Sequence, residues 1–269
     1  MIKKPLKKLS DTPWWLLAAS VLAIVFVWQL FTDDSYKVIV NALSRGIGTT
    51  IFVSLLAFIL ATLLGLLVAL MKGSEIRLVR EIATFYIEIV RGIPMLVLLF
   101  YIAFVGAPQL VAVFNWLCTY PIKWQWFDAM TIRDFNFTAR AIFALTIGYS
   151  AFIAEVFRAG IEAVAKGQTE AAQSLGLSRM QTFRLVVWPQ ALRTILPPLG
   201  NDFVSMIKDS ALVSALGVQD ITQLGKIYSS STFMFFETYN VVAFLYLVLT
   251  ILLSLAVKWL EYSFKKQTR

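Results

Sequence analysis

An all-α integral membrane protein is the fold class this sequence predicts, on three observations. The chain is 59% hydrophobic over 269 residues, with a mean hydropathy of +0.74, well above what a soluble globular domain carries. Its apolar residues gather in runs near the length of about 20 residues that takes a helix across the bilayer core. Its basic residues fall unequally on alternate connecting segments, as the positive-inside rule describes for a spanning protein.

Six spans are expected, at 14–31, 47–71, 81–105, 139–157, a polar-interrupted 196–216, and 239–260. With the N-terminus inside, the cytoplasmic side collects Lys3, Lys4, Lys7 and Lys8, then Lys72, Arg77 and Arg80. It also collects Arg158, Lys166, Arg179, Arg184, Arg193 and Lys208, then Lys258, Lys265, Lys266 and Arg269. The opposite side keeps Lys37, Arg45, Lys123, Arg133, Arg140 and Lys226. Both termini are therefore predicted cytoplasmic, and topology accounts for the net charge of +8 without a nucleic-acid partner. The first run follows KKPLKK, which looks like the basic region of a signal peptide. Its apolar stretch is long for such a peptide, and Thr32-Asp33-Asp34-Ser35 offers no small-x-small cleavage site. It reads as a retained anchor helix that carries no charge and faces lipid.

The chain has no histidine and a single cysteine, Cys118. Zinc, haem and thiol-relay sites need clusters of those residues, and Ser-His and Cys-His nucleophiles need the missing imidazole. Cys118, between apolar neighbours, reads as inert packing.

An ionisable side chain near the bilayer centre costs about 2.5–3.5 kcal/mol on insertion scales, so each one marks a candidate site. In the third span, FYIEIVRGIPMLVLLF places Glu88 and Arg91 three apart on one helical face. Pro94 breaks the helix just beyond and leaves a polar notch beside Arg91; mutual neutralisation of the two charges is the plainer alternative. In the fourth, Glu155, Arg158 and Glu162 share a face, Glu155 deepest and Glu162 next to cytoplasmic water. In the fifth, Pro197 and Pro198 suit a helix start, and Asn201, Ser205 and Lys208 then line one face with Asp202 and Asp209 beside them. The substrate-binding candidates are Arg91, Glu88, Glu155, Glu162, Asn201 and Lys208. A path carrying both charge signs suits a small zwitterion better than an inorganic ion. Gly46, Gly48, Ser54, Gly65, Gly148, Ser150, Ala151 and Ala154 are expected at close helix contacts.

Between the fourth and fifth spans, 160–195 is too long and too patterned for a plain connector. Residues 168–175 form a helix with Gly176 in the C-terminal cap position. Ser178 and Gln181 make a capping box, which starts a second helix running toward Pro189. Helices this short need a partner. Ala171 and Ala172 leave a flat face for one, and Leu175, Met180 and Phe183 are available to dock. An amphipathic helix lying on the membrane is the competing reading.

The stretch EAAQSLGLSRMQTFRLVVWP resembles the EAA loop of ABC-type importer permeases, with Glu170, Ala171, Ala172, Gly176, Val186, Trp188 and Pro189 in the motif positions. Val186 replaces the usual Ile, and Trp188 the usual Leu. With RGIPMLVLL, AEVFRAGIEAV, PQALRTILPPLGNDFVSMIKDSAL and GVQDITQLG, the chain is similar from about Arg45 to Leu260 to the polar amino-acid uptake branch, the His/Glu/Gln/Arg type. The resemblance implies a type I ABC importer transmembrane fold, a five-helix core with one extra N-terminal helix, in a bacterial cytoplasmic (inner) membrane. It divides the chain into a basic tail and extra helix over 1–44, a core over 45–260 with the coupling loop at 160–195, and a basic tail over 261–269. It implies a second permease subunit, a dimer of ABC ATPase subunits that receives Glu170, Ala171, Ala172 and Gly176, an extracytoplasmic substrate-binding protein, and a polar amino acid as cargo. It also implies Arg91 for the substrate carboxylate, which a guanidinium grips in a fork, and Glu155 for the ammonium. The chain lacks a G-x-x-x-x-G-K-[ST] phosphate loop. No cofactor is therefore expected in it, ATP and Mg residing on the ATPase, and the chain is a translocation subunit and not an enzyme. An ion-coupled secondary carrier would also place charges beside broken helices. A membrane-embedded enzyme is the third reading, against which stand the missing His, Cys pair and acidic metal motif.

Overall fold

A computed structural model describes residues 14–266. Lys3, Lys4, Lys7, Lys8 and Arg269, which enter the orientation argument, lie outside the described residues. Every described element is helical. Helix α1 (Trp14–Thr32) is followed at once by α2 (Asp34–Lys72), capped by Asp33, whose carboxylate accepts from the Ser35 N–H. At 39 residues α2 is about 58 Å long. It begins well before the expected 47, because Asn41, Ser44 and Arg45 interrupt the apolar run without interrupting the helix.

The expected third span at 81–105 is instead two helices. The first, α3 (Arg77–Gly92), ends where Ile93 is extended, at φ −100 and ψ 131. That is the conformation a residue before proline is pushed into, and Pro94 cannot donate to continue the ladder. The crossing helix restarts beyond it as α4 (Met95–Tyr101), passes through a π-bulge (Ile102–Gly106), and continues as α5 (Ala107–Leu117). A short α6 (Thr119–Lys123) and a loop lead to α7 (Phe137–Glu162). Two short helices, α8 (Lys166–Ser174) and α9 (Arg179–Thr182), follow.

Pro189 does not end the second of these, nor do Pro197 and Pro198 start a span. A π segment (Phe183–Val187) runs without a break into α10 (Trp188–Asp209), which holds both prolines in its interior. A 3-10 turn (Ser210–Leu216), α11 (Ile221–Thr232) and α12 (Phe235–Lys266) complete the chain. Among the described residues four helical stretches are long and apolar enough to cross a membrane: Asp34–Lys72, Met95–Leu117, Phe137–Glu162 and Phe235–Leu260.

The core is the contact of α2 with α7, and small side chains make it close. Ser54, Ala57, Ala61, Ser150, Ala151 and Ala154 are fully buried. A Cβ on Gly65 would lie 2.9 Å from the Ser150 carbonyl oxygen and 2.8 Å from the Ile153 side chain, so backbones approach as the small-residue rule describes. Gly46 is likewise packed on the backbone of Asp220 and Ile221, and Gly148 on Met95. Gly48 departs from the expectation: nothing lies within 4 Å of the position a Cβ would take.

Candidate functional site

Three elements converge on one open cleft of about 440 Å³: the last turn of α3, the C-terminal half of α7, and the middle of α10. Arg91 lies at the broken end of α3, exposed, with its guanidinium 5.5 Å from the centre of the Phe152 ring. Among the described residues it pairs with no carboxylate, so the alternative of mutual neutralisation with Glu88 does not occur. Opposite stand Glu155 and Arg158 of α7 and Thr194, Pro198 and Asp202 of α10.

The two acids of the cleft differ in what they have left to offer. Glu155 takes Lys72 of α2 on Oε1 and Arg158 on Oε2, the latter at 2.7 Å, and Arg158 also holds Glu162. Partly buried and paired on both oxygens, the Glu155 carboxylate is already compensated. Asp202 is partly buried, and its Oδ2 is shielded from solvent with no hydrogen-bond partner in the protein. An orphaned carboxylate oxygen beside a cleft is an open demand for a cation or donor. A second cavity of about 230 Å³ shares Phe152 and Asp202 with the first and adds Tyr149, Ser205 and Asp209. There the Tyr149 hydroxyl donates to Asp209 Oδ2 at 2.7 Å.

Of the six substrate-binding candidates, the cleft brings Arg91 and Glu155 together, and it adds Arg158 and Asp202, which the sequence placed beside candidates. Glu88 is exposed on α3, and Glu162 is exposed and occupied by Arg158. Asn201 and Lys208 are exposed and do not line it. The lining stripe of α10 is Thr194, Pro198 and Asp202, spaced by four, with Ser205 and Asp209 continuing it past the next turn. The polar face Asn201, Ser205, Lys208 is its neighbour, about 100° around the helix. The signal for Asp202 was therefore present in the i, i+4 spacing from Pro198. Phe152 and Lys72 carried no local signal, since their partners lie far along the chain.

The corner between α8 and α9 has the caps that the sequence indicates. At the end of α8, Gly176 sits at φ +86. The Leu177 N–H reaches the Ala172 carbonyl at 3.2 Å and the Gly176 N–H reaches that of Gln173 at 2.9 Å, the two bonds of a Schellman cap. Ser178 and Gln181 close a capping box at the start of α9. Ala172 packs inward, while Glu170 and Ala171 are exposed. Leu175 is 84% and Met180 73% exposed, a large apolar display for a segment outside the spans. Trp188 fills its position by stacking on Phe157 of α7 at 6.3 Å and packing on Phe183 at 5.9 Å.

Residues 61–266 match the family described as binding-protein-dependent transport system inner membrane component. The probable amino-acid permease protein YxeN of Bacillus subtilis (strain 168) is 33% identical over 242 residues, covering 90% of this chain and 97% of that protein. The probable glutamine ABC transporter permease protein GlnM of the same organism is 36% identical over 221 residues, or 82% and 92% of the two chains. A solved structure, an amino acid ABC transporter with histidines, superposes with a TM-score of 0.71 at 35% identity, covering 85% of this chain and 97% of that one. With a family match over residues 61–266 and relatives a third identical over nearly their whole length, the chain belongs to the binding-protein-dependent transport system inner membrane component family.

Proposed function

We propose that this chain is the permease subunit of an ATP-driven importer that passes a polar amino acid into the cytoplasm by alternating access. The observation that carries the reading is the continuous helical run from α9 through the π segment into α10. One end of that rod is the capped corner with its exposed Leu175 and Met180; further along, Thr194, Pro198 and Asp202 line the cleft. A push on the corner therefore moves one wall of the cleft. The partner that pushes is a dimer of ATPase subunits, which carry ATP and Mg, this chain holding no cofactor of its own. Glu170, Ala171, Ala172 and Gly176 form the contact. A second permease subunit, identical or homologous, supplies the other half of the path, and an extracytoplasmic binding protein delivers the cargo. The membrane is the bacterial inner membrane, crossed six times with both termini in the cytoplasm.

In the cleft, Arg91 takes the substrate carboxylate, since a guanidinium that pairs with no carboxylate among the described residues can grip one in a fork. The acidic side, Glu155 with the unpartnered oxygen of Asp202, takes the ammonium. The relatives' names support an amino acid as cargo.

The test is reconstitution. The tagged chain is purified with whatever ATPase and permease accompany it, and amino-acid uptake into proteoliposomes is followed with ATP inside. Arg91→Ala and Asp202→Asn should each abolish uptake while the subunits still co-purify. Uptake at the parent rate in either variant would remove that residue from the site. Uptake that needs no ATPase and collapses with an uncoupler would overturn the importer reading in favour of an ion-coupled carrier.

A further inference from the structure

The segment between α5 and α7 presents aromatic rings that the chain's own fold leaves uncovered. Trp116, Tyr120, Trp124 and Trp126 are 74, 70, 62 and 72% exposed. The last three form a chain of rings, Tyr120 to Trp124 at 6.3 Å and Trp124 to Trp126 at 5.7 Å. The segment is pinned in place. The Asn115 side chain both donates to the Met130 carbonyl, at 2.8 Å, and accepts from the Met130 N–H, at 2.9 Å. Buried Arg140 donates to the carbonyls of Ile132 and Phe135, each at 2.6 Å. Between Trp124 and Trp126 the backbone turns through Gln125 at φ 59, which points the two indoles outward together.

Two facts say what covers these rings. Trp116 is in the last turn of the crossing stretch Met95–Leu117, so the cluster begins where a helix leaves the hydrocarbon. And none of the four side chains hydrogen-bonds to the protein among the described residues, leaving three indole N–H groups and a phenol O–H without acceptors. Apolar bodies with one unsatisfied polar edge, and Lys123 among them, match the boundary between acyl chains and headgroups. Ester and phosphate oxygens accept there while the ring is out of water, and a lysine stem can reach the headgroups. A plain lipid-tail contact would not use the donors, and bulk water would leave the rings exposed.

We propose that residues 114–127 form an interfacial anchor, lying in the headgroup and upper acyl region of one bilayer leaflet. The leaflet is the one opposite α8 and α9, because α7 runs from this segment to Glu162 and the coupling corner. The anchor fixes the ends of α5 and α7 that lie far from the corner, so that α10 moves against a held frame. The occupant is lipid; a second permease or a binding protein seated on the rings is the competing outcome.

The assembled complex is reconstituted in phosphatidylcholine brominated either near the headgroup or near the chain ends, and tryptophan emission is compared between the parent and Trp124→Phe/Trp126→Phe. The emission belonging to these two indoles, the parent minus the variant, should fall much more with shallow bromine than with deep bromine, and should lie to the blue of a hydrated indole. Emission untouched by either lipid, yet quenched by iodide in solution, overturns the anchor. So does lipid quenching that appears only when the second permease is absent. Should the double variant fail to assemble, Trp124→Phe and Trp126→Phe are read singly, with the same outcomes deciding.

Discussion

Asp220 is wholly buried at the start of α11, where Oδ1 accepts from the Gln223 N–H at 2.8 Å and Oδ2 from the Tyr246 hydroxyl at 3.0 Å. Burial pushes its carboxyl above the ordinary carboxylate range, and the hydrogen bonds from Gln223, Tyr246 and Thr222 pull it back only in part. The sign follows from linkage. A carboxyl whose folded value is raised binds its proton more readily in the native state than in the unfolded one. Its contribution is therefore full below the unfolded value of 3.8 and is lost as pH rises through the folded value. Asp220→Asn does not titrate, keeps the acceptor for the Gln223 N–H, and can hold Tyr246 by donating its amide N–H to the hydroxyl oxygen, so its melting temperature relative to the parent should climb as pH is raised from about 4 to about 7. Thermal unfolding in mild detergent reads this directly, and a parent that gains on the Asn variant over that window would contradict it. Asp220→Ala should be less stable than either at every pH, by about 1 kcal/mol for the lost cap alone.

Elements were legible where a single local rule decided them and illegible where two competed. The break at Gly92 to Pro94 and the corner at Gly176 to Ser178 each rest on one chemistry, a missing donor or a left-handed glycine, and the structure has both. Pro197 and Pro198 were placed at a helix start because a proline suits a first turn; in the structure both lie inside α10, which begins nine residues before Pro197, at Trp188. The early start of α2 was hidden because an apolar-run criterion stops at Arg45 although a helix does not. Gly48 and Gly65 show the same limit in one helix. Both were expected at close contacts, and only Gly65 has backbone within 3.0 Å of a Cβ position. Gly65→Ala should therefore cost about 1–3 kcal/mol by overpacking, whereas Gly48→Ala should stabilise α2 by about 0.5–1 kcal/mol. Melting temperatures of the two variants moving in the same direction would refute the packing assigned to this helix.

At the scale of the whole molecule, what was least readable was pairing over distance. Nothing near Lys72 or Glu155 in the sequence announces that they meet across 83 residues, or that Asp202 rather than Asn201 lines the cleft with Arg91. The capped corner was readable because it is local, and it leads into the same helical run as the cleft wall. That connection sets the last prediction. Gly176 at φ +86 has a conformation proline cannot adopt, since its ring holds φ near −65°. Gly176→Pro must therefore open the corner, turning α8 away from α9 and slackening the drive on α10. The cleft residues are untouched, so the order of preference among amino acids should stay as in the parent. What should change is the ratio of ATP hydrolysed to amino acid imported, which should rise several-fold as uptake falls and hydrolysis continues. Gly176→Ala is the graded control: it keeps the corner at a cost of about 1–2 kcal/mol for a side chain in the left-handed region, and its ratio should lie between the two. A Pro variant that imports at the parent ratio, or one that changes which amino acid is preferred, would mean that corner and cleft are not joined as the helical run indicates.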